Sequence, residues 1–316
     1  MIDEAAISTA ARILRAGGLV AFPTETVYGL GANALDAEAV ARIFAVKGRP
    51  RTSPLIVHVG SIAMAQSLVA TWPETAERLA RKFWPGPLTL VLEKSGSQEK
   101  TIPSTVTAGL STVGLRMPSH PIARALIREA GIPIAAPSAN RFTQLSPTTA
   151  DHVRTSLGTD VDYILDGGPC HVGIESTVLS LAGPDPVLLR PGGISRPDIE
   201  AVIGPVKTAA DVTEGAHPSP GMHARHYSPR TSLLTVSNGE VPAHGHGIYL
   251  QHRHLPTRSD IAVMEMPLSA ADYAAALYDT LHRADRAGRD WIAVDLPPDS
   301  PEWEAVLDRL RRAASK

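Results

Sequence analysis

The chain has 316 residues, 43% apolar and 20% charged, with 30 Lys and Arg against 32 Asp and Glu for a formal net charge of -2. Domains commonly run about 100–200 residues, so two compact units are expected; the composition excludes a disordered chain, and the balanced charge excludes a protein built mainly to coat nucleic acid. The single cysteine, Cys170, excludes an intramolecular disulfide and a Cys-rich zinc site, and it suits a reducing compartment, so a cytoplasmic location is expected.

The N-terminal stretch is acidic, then apolar, and is not a secretory signal; no apolar run nears the ~20 residues that span a bilayer. Residues 5–14 carry helical periodicity ending at Gly17-Gly18, and Leu19-Val20-Ala21-Phe22 reads as a buried strand stopped by Pro23. Asp36 can cap the next helix, which runs to about Val46 and stops at Gly48. Strands are then expected at residues 55–59, 88–92, 113–116, 132–136, 163–165, 178–181 and 187–189, with helices centred on Ala63, Leu79, Ala125, Val153 and Ile199 among them. That alternation describes an α/β layered domain.

From Gly204 to about Pro229 the pattern lapses, and His217-Pro218-Ser219-Pro220-Gly221 can be neither helix nor strand interior. Beyond this linker, residues 233–236, 247–250 and 261–264 read as strands, 270–286 as a helix, 291–294 as a strand and 302–312 as a helix. The order suggests a smaller α/β domain with parallel strands. The division expected is residues 1–204, a linker at 205–230, and a second domain at 231–316.

Phe22-Pro23-Thr24-Glu25-Thr26-Val27-Tyr28-Gly29-Leu30-Gly31 packs hydroxyls and glycines directly after a buried strand. That is where ligands bind in an α/β layer, or it is an ordinary strand-to-helix loop. Gly29-Leu30-Gly31-Ala32-Asn33-Ala34 matches a dinucleotide fingerprint in outline only: loop residues separate it from the strand, and no acid lies at the expected offset. A Walker A sequence is absent.

Lys47-Gly48-Arg49-Pro50-Arg51-Thr52-Ser53-Pro54 gathers cations and hydroxyls in a proline-stiffened loop suited to a polyphosphate, or is a solvated basic loop at a helix C-terminus. Pro137-Ser138-Ala139-Asn140 repeats the strand-end arrangement, with a helix cap or Asx turn as its local alternative. Arg116 and Arg190 each end an apolar strand, where an unpaired guanidinium is costly; each needs an acid, a carbonyl or an anionic ligand. His58 interrupts the strand Leu55-Ile56-Val57-His58-Val59. His217, His223, His226, His244, His246, His252 and His254 repeat no zinc spacing and read as loop residues. No nucleophile with an activating base is visible, which favours direct transfer between bound substrates.

Taken in order, these stretches resemble the YrdC-like family in its two-domain form, the threonylcarbamoyl-AMP synthases. The resemblance rests on Phe22 through Gly31, Lys47-Gly48-Arg49-Pro50, Pro54-Leu55-Ile56-Val57-His58 and Phe83-Trp84-Pro85-Gly86-Pro87-Leu88-Thr89. It continues through Gly114-Leu115-Arg116-Met117-Pro118, Pro137-Ser138-Ala139-Asn140, Glu175-Ser176-Thr177-Val178 and Leu189-Arg190-Pro191-Gly192. Ser219-Pro220-Gly221-Met222-His223-Ala224-Arg225-His226-Tyr227-Ser228-Pro229 resembles the segment joining the domains of the longer members.

The resemblance implies an N-terminal YrdC-like twisted-sheet domain with helices packed on it, and a smaller C-terminal Rossmann-like α/β domain. It implies conversion of L-threonine, bicarbonate and ATP to L-threonylcarbamoyladenylate and diphosphate, the first step of tRNA threonylcarbamoyladenosine formation, with Mg²⁺ carried by ATP and no permanently bound cofactor. Carried over by position, Thr26, His58 and Arg116 would hold threonine. Lys47, Arg49, Ser53, Thr112, Ser138, Asn140, Ser146 and Arg190 would line the ATP site, with Lys47, Arg49, Ser138 and Asn140 at its catalytic centre, and Tyr227 would close over the nucleotide on a linker acting as a lid. The product would pass transiently to a transferase complex acting on tRNA, without stable nucleic-acid binding or a membrane. The rivals are a YrdC-like RNA-binding module without ATP turnover and the hydrogenase-maturing carbamoyltransferases, whose Cys-rich zinc segments are missing here.

Overall fold

The structure is a computed structural model and describes residues 3–96, 101–208 and 226–315. It opens with α1 (Glu4–Arg15), whose Asp3 carboxylate accepts from the Ala6 amide and whose Ile7, Ala10, Ala11 and Leu14 form the buried stripe. β1 (Val20–Phe22), β2 (Gly29–Asn33) and α2 (Ala37–Lys47) follow, the helix capped by Asp36 and ended by left-handed Gly48. Next come β3 (Ile56–His58), α3 (Ile62–Gln66), α4 (Glu74–Phe83), β4 (Leu88–Glu93), α5 (Ser104–Thr107), β5 (Thr112–Arg116), α6 (Pro121–Ala130) and β6 (Ile134–Ala135). α7 (Ala150–Leu157), β7 (Tyr163–Ile164), β8 (Thr177–Ser180), β9 (Val187–Arg190), α8 (Arg196–Ile203) and β10 (Lys207–Thr208) complete this part.

These strands form one mixed 10-stranded sheet in the order β10-β9-β8-β4-β5-β3-β6-β2-β1-β7. β1 is apolar throughout because both its faces are covered. Ala21 enters a core with α2 and α4, while Val20 and Phe22 enter another with α1 and α6. The same alternation sends Val57, Leu115 and Ala135 into the first core and leaves Ile56, His58 and Arg116 on the opposite face, against a cavity.

Three elements depart from the sequence expectation, the first of them α5, a one-turn helix where none is expected. Residues 29–33 form β2, antiparallel to β1, rather than the loop expected there. The strand runs close under an aromatic ring: a Cβ on Gly31 would lie 2.8 Å from Phe22, so small residues stand where a strand normally shows its apolar alternation. β10 forms inside the expected linker, pairing in parallel with β9 at the sheet edge. Residues 209–225 of that linker, His217 and His223 included, lie outside the described residues; His226 and Tyr227 lie within them.

The second sheet contains β11 (Ser232–Val236), β12 (Gly247–Gln251), β13 (Ala262–Glu265) and β14 (Trp291–Asp295), accompanied by α9 (Ala270–Arg286) and α10 (Glu304–Ala314). It is parallel throughout, in the order β11-β14-β12-β13, the small Rossmann-like unit expected. Its core does not stop at its own edge. Val27, Leu145, Ile174 and Tyr227 belong to the same apolar cluster as Leu233, Ile248, Leu277 and Leu310. Gly173, at φ 75°, admits α9 so closely that a Cβ there would lie 2.4 Å from the Ala275 Cα. Among the described residues, no helix is long and apolar enough to cross a membrane.

His58, His152 and His226 are each at most 5% exposed. Burial first, then the neighbouring charges of Arg116, His282 and Arg49 respectively, push their pKa values down to about 3.

Two outcomes are expected. Gly173→Ala meets backbone rather than a yielding side chain and should cost more than about 1 kcal/mol, read as a lowered midpoint in urea unfolding; an unchanged midpoint would contradict the close approach. The three histidines take up protons in the unfolded chain below the usual 6.5 but in the folded chain only near 3. Stability should therefore be full above pH 6.5 and fall as pH drops, by about 1–2 kcal/mol per histidine at pH 5, measurable as thermal midpoints across that range.

Candidate functional site

A cavity opens on the sheet face, lined from β3, β5 and the loops that follow β1 and β6. At one end, β3 and β5 run parallel with His58 beside Arg116, so adjacent strand termini place both side chains on the same face. Glu25, 0% exposed, meets the Arg116 guanidinium at 2.7 Å and accepts from the Ser119 amide at 3.0 Å. Burial would raise the Glu25 pKa, but the Arg116 charge and hydrogen bond outweigh it and hold the carboxyl below its usual range. His58 stays neutral near pH 7.

The hydroxyls here have assignable directions. Thr24 Oγ1 donates to the Val27 carbonyl at 2.6 Å and also lies 2.8 Å from Thr26 Oγ1. Its only proton is committed, so Thr26 is the donor in that second bond and offers its lone pairs to the cavity. A hydroxyl set this way accepts from an ammonium or amine rather than donating to a carboxylate.

At the other end stand Arg49, Ser138, Arg190, His226 and Tyr227. Arg49 donates to the Pro54 carbonyl at 3.2 Å and lies over the Phe142 ring at 5.8 Å; burial lowers its pKa to about 10, so it remains a cation at neutral pH. Arg190 holds the Ser176 carbonyl through Nε at 3.1 Å and through its terminal nitrogen at 2.9 Å. Tyr227 takes a left-handed φ of 60°, a costly conformation for a tyrosine, and is 1% exposed. Arg49 Nε, Asn140 Oδ1, His226 Nδ1 and the Tyr227 hydroxyl are buried without hydrogen-bond partners, a concentration unusual for a structural core.

Thr26, His58, Arg116, Arg49, Ser138, Arg190 and Tyr227 therefore converge on one cavity, whereas Lys47, Ser53, Thr112, Asn140 and Ser146 lie outside its lining. Lys47 is 2% exposed, and its ammonium donates to the Ser138 and Asn140 carbonyls at 2.5 Å each, tying α2 to the Pro137–Asn140 turn. Asn140 Nδ2 donates to the Arg141 and Gln144 carbonyls at 2.8 and 2.9 Å. Ser53 stands in the turn closed by its amide on the Pro50 carbonyl at 3.1 Å. Thr112 pairs with Glu93 at the opposite end of β5 from Arg116. Ser146 donates to Glu175 Oε1 at 2.6 Å, behind the cavity wall.

Glu25 and Glu175 stand inside motifs the sequence singles out but with no role given to them there, and Tyr278 and Arg309 are not singled out at all. Glu175 lines the cavity and accepts from Ser146, from the Tyr278 hydroxyl at 3.1 Å and from Arg309 Nε at 2.6 Å. Burial alone would raise its pKa; the Arg309 and Arg190 charges and these hydrogen bonds bring it down to about 2. Arg309 carried a sequence signal, being a cation in the stripe of α10 whose other members, Val306, Leu310 and Ala313, are buried and apolar.

Residues 12–192 match the family model Sua5_yciO_yrdC, described as "Telomere recombination", and residues 194–315 match Sua5_C, described as "Threonylcarbamoyl-AMP synthase, C-terminal domain". The threonylcarbamoyl-AMP synthase of Bacillus subtilis is 44% identical over 99% of this chain and 94% of its own length. That of Pyrococcus abyssi is 42% identical over 99% and 95%. The crystal structure of P. abyssi Sua5 complexed with L-threonine superposes with a TM-score of 0.90 at 40% identity, covering 99% of this chain and 95% of that one. Matched in both parts, and by relatives of the same length and arrangement, the chain belongs to the Sua5/YciO/YrdC family and carries its Sua5 C-terminal domain.

Proposed function

We propose that the chain is a threonylcarbamoyl-AMP synthase, a nucleotidyltransferase of the cytoplasm that joins L-threonine, bicarbonate and ATP into L-threonylcarbamoyladenylate and diphosphate. The observation that carries the reading is the separation of charge within one cavity: a guanidinium with a hydroxyl acceptor at one end, two guanidiniums at the other. Arg116 suits the carboxylate of threonine and Thr26 its amine, with neutral His58 positioning the remaining polar atoms. At a pKa of about 3, His58 is too weak a base to remove a proton efficiently at neutral pH. Arg49 and Arg190 suit the triphosphate.

The threonine amine adds to CO2 derived from bicarbonate, losing a proton to give a carbamate. A carbamate oxygen then attacks the α-phosphorus, the bond to the β-phosphate bridging oxygen breaks, and diphosphate leaves. The acyl phosphate product hydrolyses readily, and the buried Tyr227 ring serves to exclude water from it. Mg²⁺ carried by ATP would offset phosphate charge. Both cavity carboxylates are engaged, Glu25 by Arg116 and Glu175 by Arg309. The adenylate then passes to a transferase acting on tRNA.

Lys47 and Asn140 act through the Pro137–Asn140 turn, which carries Ser138 into the cavity. Arg49 acts on the nucleotide itself.

Purified protein given ATP, Mg²⁺, bicarbonate and threonine should release diphosphate only when threonine is present. Release without threonine, or none at all, would remove the synthase reading, and no release alongside tight duplex-RNA binding would put the RNA-binding reading in its place. Arg49→Ala should lower kcat/KM for ATP by about 100-fold or more while the protein stays folded, in keeping with loss of a charge-assisted contact to a buried anion. Wild-type kinetics in that variant would remove Arg49 from the site.

A further inference from the structure

The wall behind the nucleotide end of the cavity is completed by a side chain from the other domain. Arg309 projects from α10 with its side chain 0% exposed, and a buried guanidinium is tolerated only where its donors and charge are matched. Its Nε meets Glu175 Oε2 at 2.6 Å, one terminal nitrogen meets Asp308 at 2.6 Å, and the other donates to the Pro191 carbonyl at 3.0 Å. Its guanidinium lies over the Tyr227 ring, 5.1 Å from the centroid.

The partners of Arg309 beyond α10 have a common property. Glu175 precedes Ser176, whose oxygens hold Arg190; Pro191 follows Arg190; Tyr227 lines the cavity directly. Each contact of Arg309 with the first domain therefore lands on a group that borders the proposed nucleotide subsite. Glu175 itself lines the cavity, and without a partner it would present a buried anion to a triphosphate.

We propose that Arg309 is the positioning residue through which the C-terminal domain makes the cavity competent for a nucleoside triphosphate, cancelling the Glu175 charge and fixing Tyr227 and the Arg190 turn. The proposal rests on the synthase reading above. It gives the second domain a definite role, the supply of the cation that pairs directly with Glu175. Tyr278 of α9 supports the same carboxylate with its hydroxyl, so the last two helices converge on one oxygen pair. The threonine end, built on Glu25 and Arg116, touches none of these groups, so the two substrates should respond separately.

The test measures ATP affinity by direct titration, together with KM for ATP and for threonine, in the wild type, Arg309→Met, and Arg309→Met with Glu175→Gln. Arg309→Met should weaken ATP binding by about tenfold or more and leave KM for threonine within about twofold, because it exposes one substrate's subsite to an unpaired anion. Removing that anion with Glu175→Gln should restore most of the lost affinity. A merely structural Arg309 would instead lower the active fraction and the melting temperature with both KM values unchanged, and that result, or a double variant no better than the single, overturns the proposal. If Arg309→Met gives no folded protein, Arg309→Gln takes its place: it keeps hydrogen-bond donors and loses the charge, and an ATP affinity equal to that of the wild type would sink the idea. Failure of the wild type to release diphosphate with threonine would count against the synthase reading; wild-type activity with unmoved ATP affinity in the variants would count against Arg309 alone.

Discussion

The Glu175 carboxylate sits where α9 and α10 meet the segment before β8, and much of the molecule is arranged around keeping it charged. A buried carboxylate costs several kcal/mol in desolvation unless a close cation and hydrogen bonds replace the lost water. Here the cation comes from α10, one hydroxyl from α9 and another from Ser146 of the first domain. None of these donors is near Glu175 in sequence, so the carboxylate is satisfied only when both units are folded and docked. The apolar cluster that joins Val27 and Tyr227 to Leu277 and Leu310 supplies the adhesive term, and the ion pair supplies the register.

The cavity repeats the device at its far end. Glu25 and Arg116 form a buried pair at 2.7 Å, as Glu175 and Arg309 do at 2.6 Å. Each carboxylate is matched by one guanidinium, which leaves Arg49 and Arg190 as the additional cations lining the space between. The cavity is thereby electropositive although the chain as a whole carries a formal net charge of -2. A net charge thus describes solubility and nonspecific partners and says little about a site whose charges are paired locally.

How much of this could be read from residues alone depended on the range of the interactions. α1 and α2 were legible because their caps, Asp3 and Asp36, and their apolar stripes are local. The parallel second sheet was legible from runs of buried residues separated by helical pattern. β2 was not, because its Gly-Leu-Gly-Ala sequence is dictated by the Phe22 ring packed against it, a tertiary demand that erases the alternation. At the site, strand-end residues such as His58 and Arg116 could be picked out one at a time, since a polar group closing an apolar strand is conspicuous. Glu175 and Arg309 could not be paired, because 134 positions separate them and their pairing is a fact of domain docking. Only the misplaced charge on the α10 stripe hinted at it.

Lys47 shows the same limit from the other side. In sequence it is a cation in a basic loop, and a phosphate ligand is the natural partner to assign. In the fold it is buried, and burial lowers its pKa well below the usual lysine value, so a free charge is expensive there. Both the ammonium and the neutral amine have enough protons to serve the Ser138 and Asn140 carbonyls, and the strap between α2 and the turn survives either way. A residue whose role is indifferent to its own protonation holds geometry, whereas Arg49, still cationic at neutral pH with Nε lacking a partner, is equipped to meet an anion. On the proposed reading, two basic residues two positions apart divide the labour: Lys47 straps the wall and Arg49 presents charge from it.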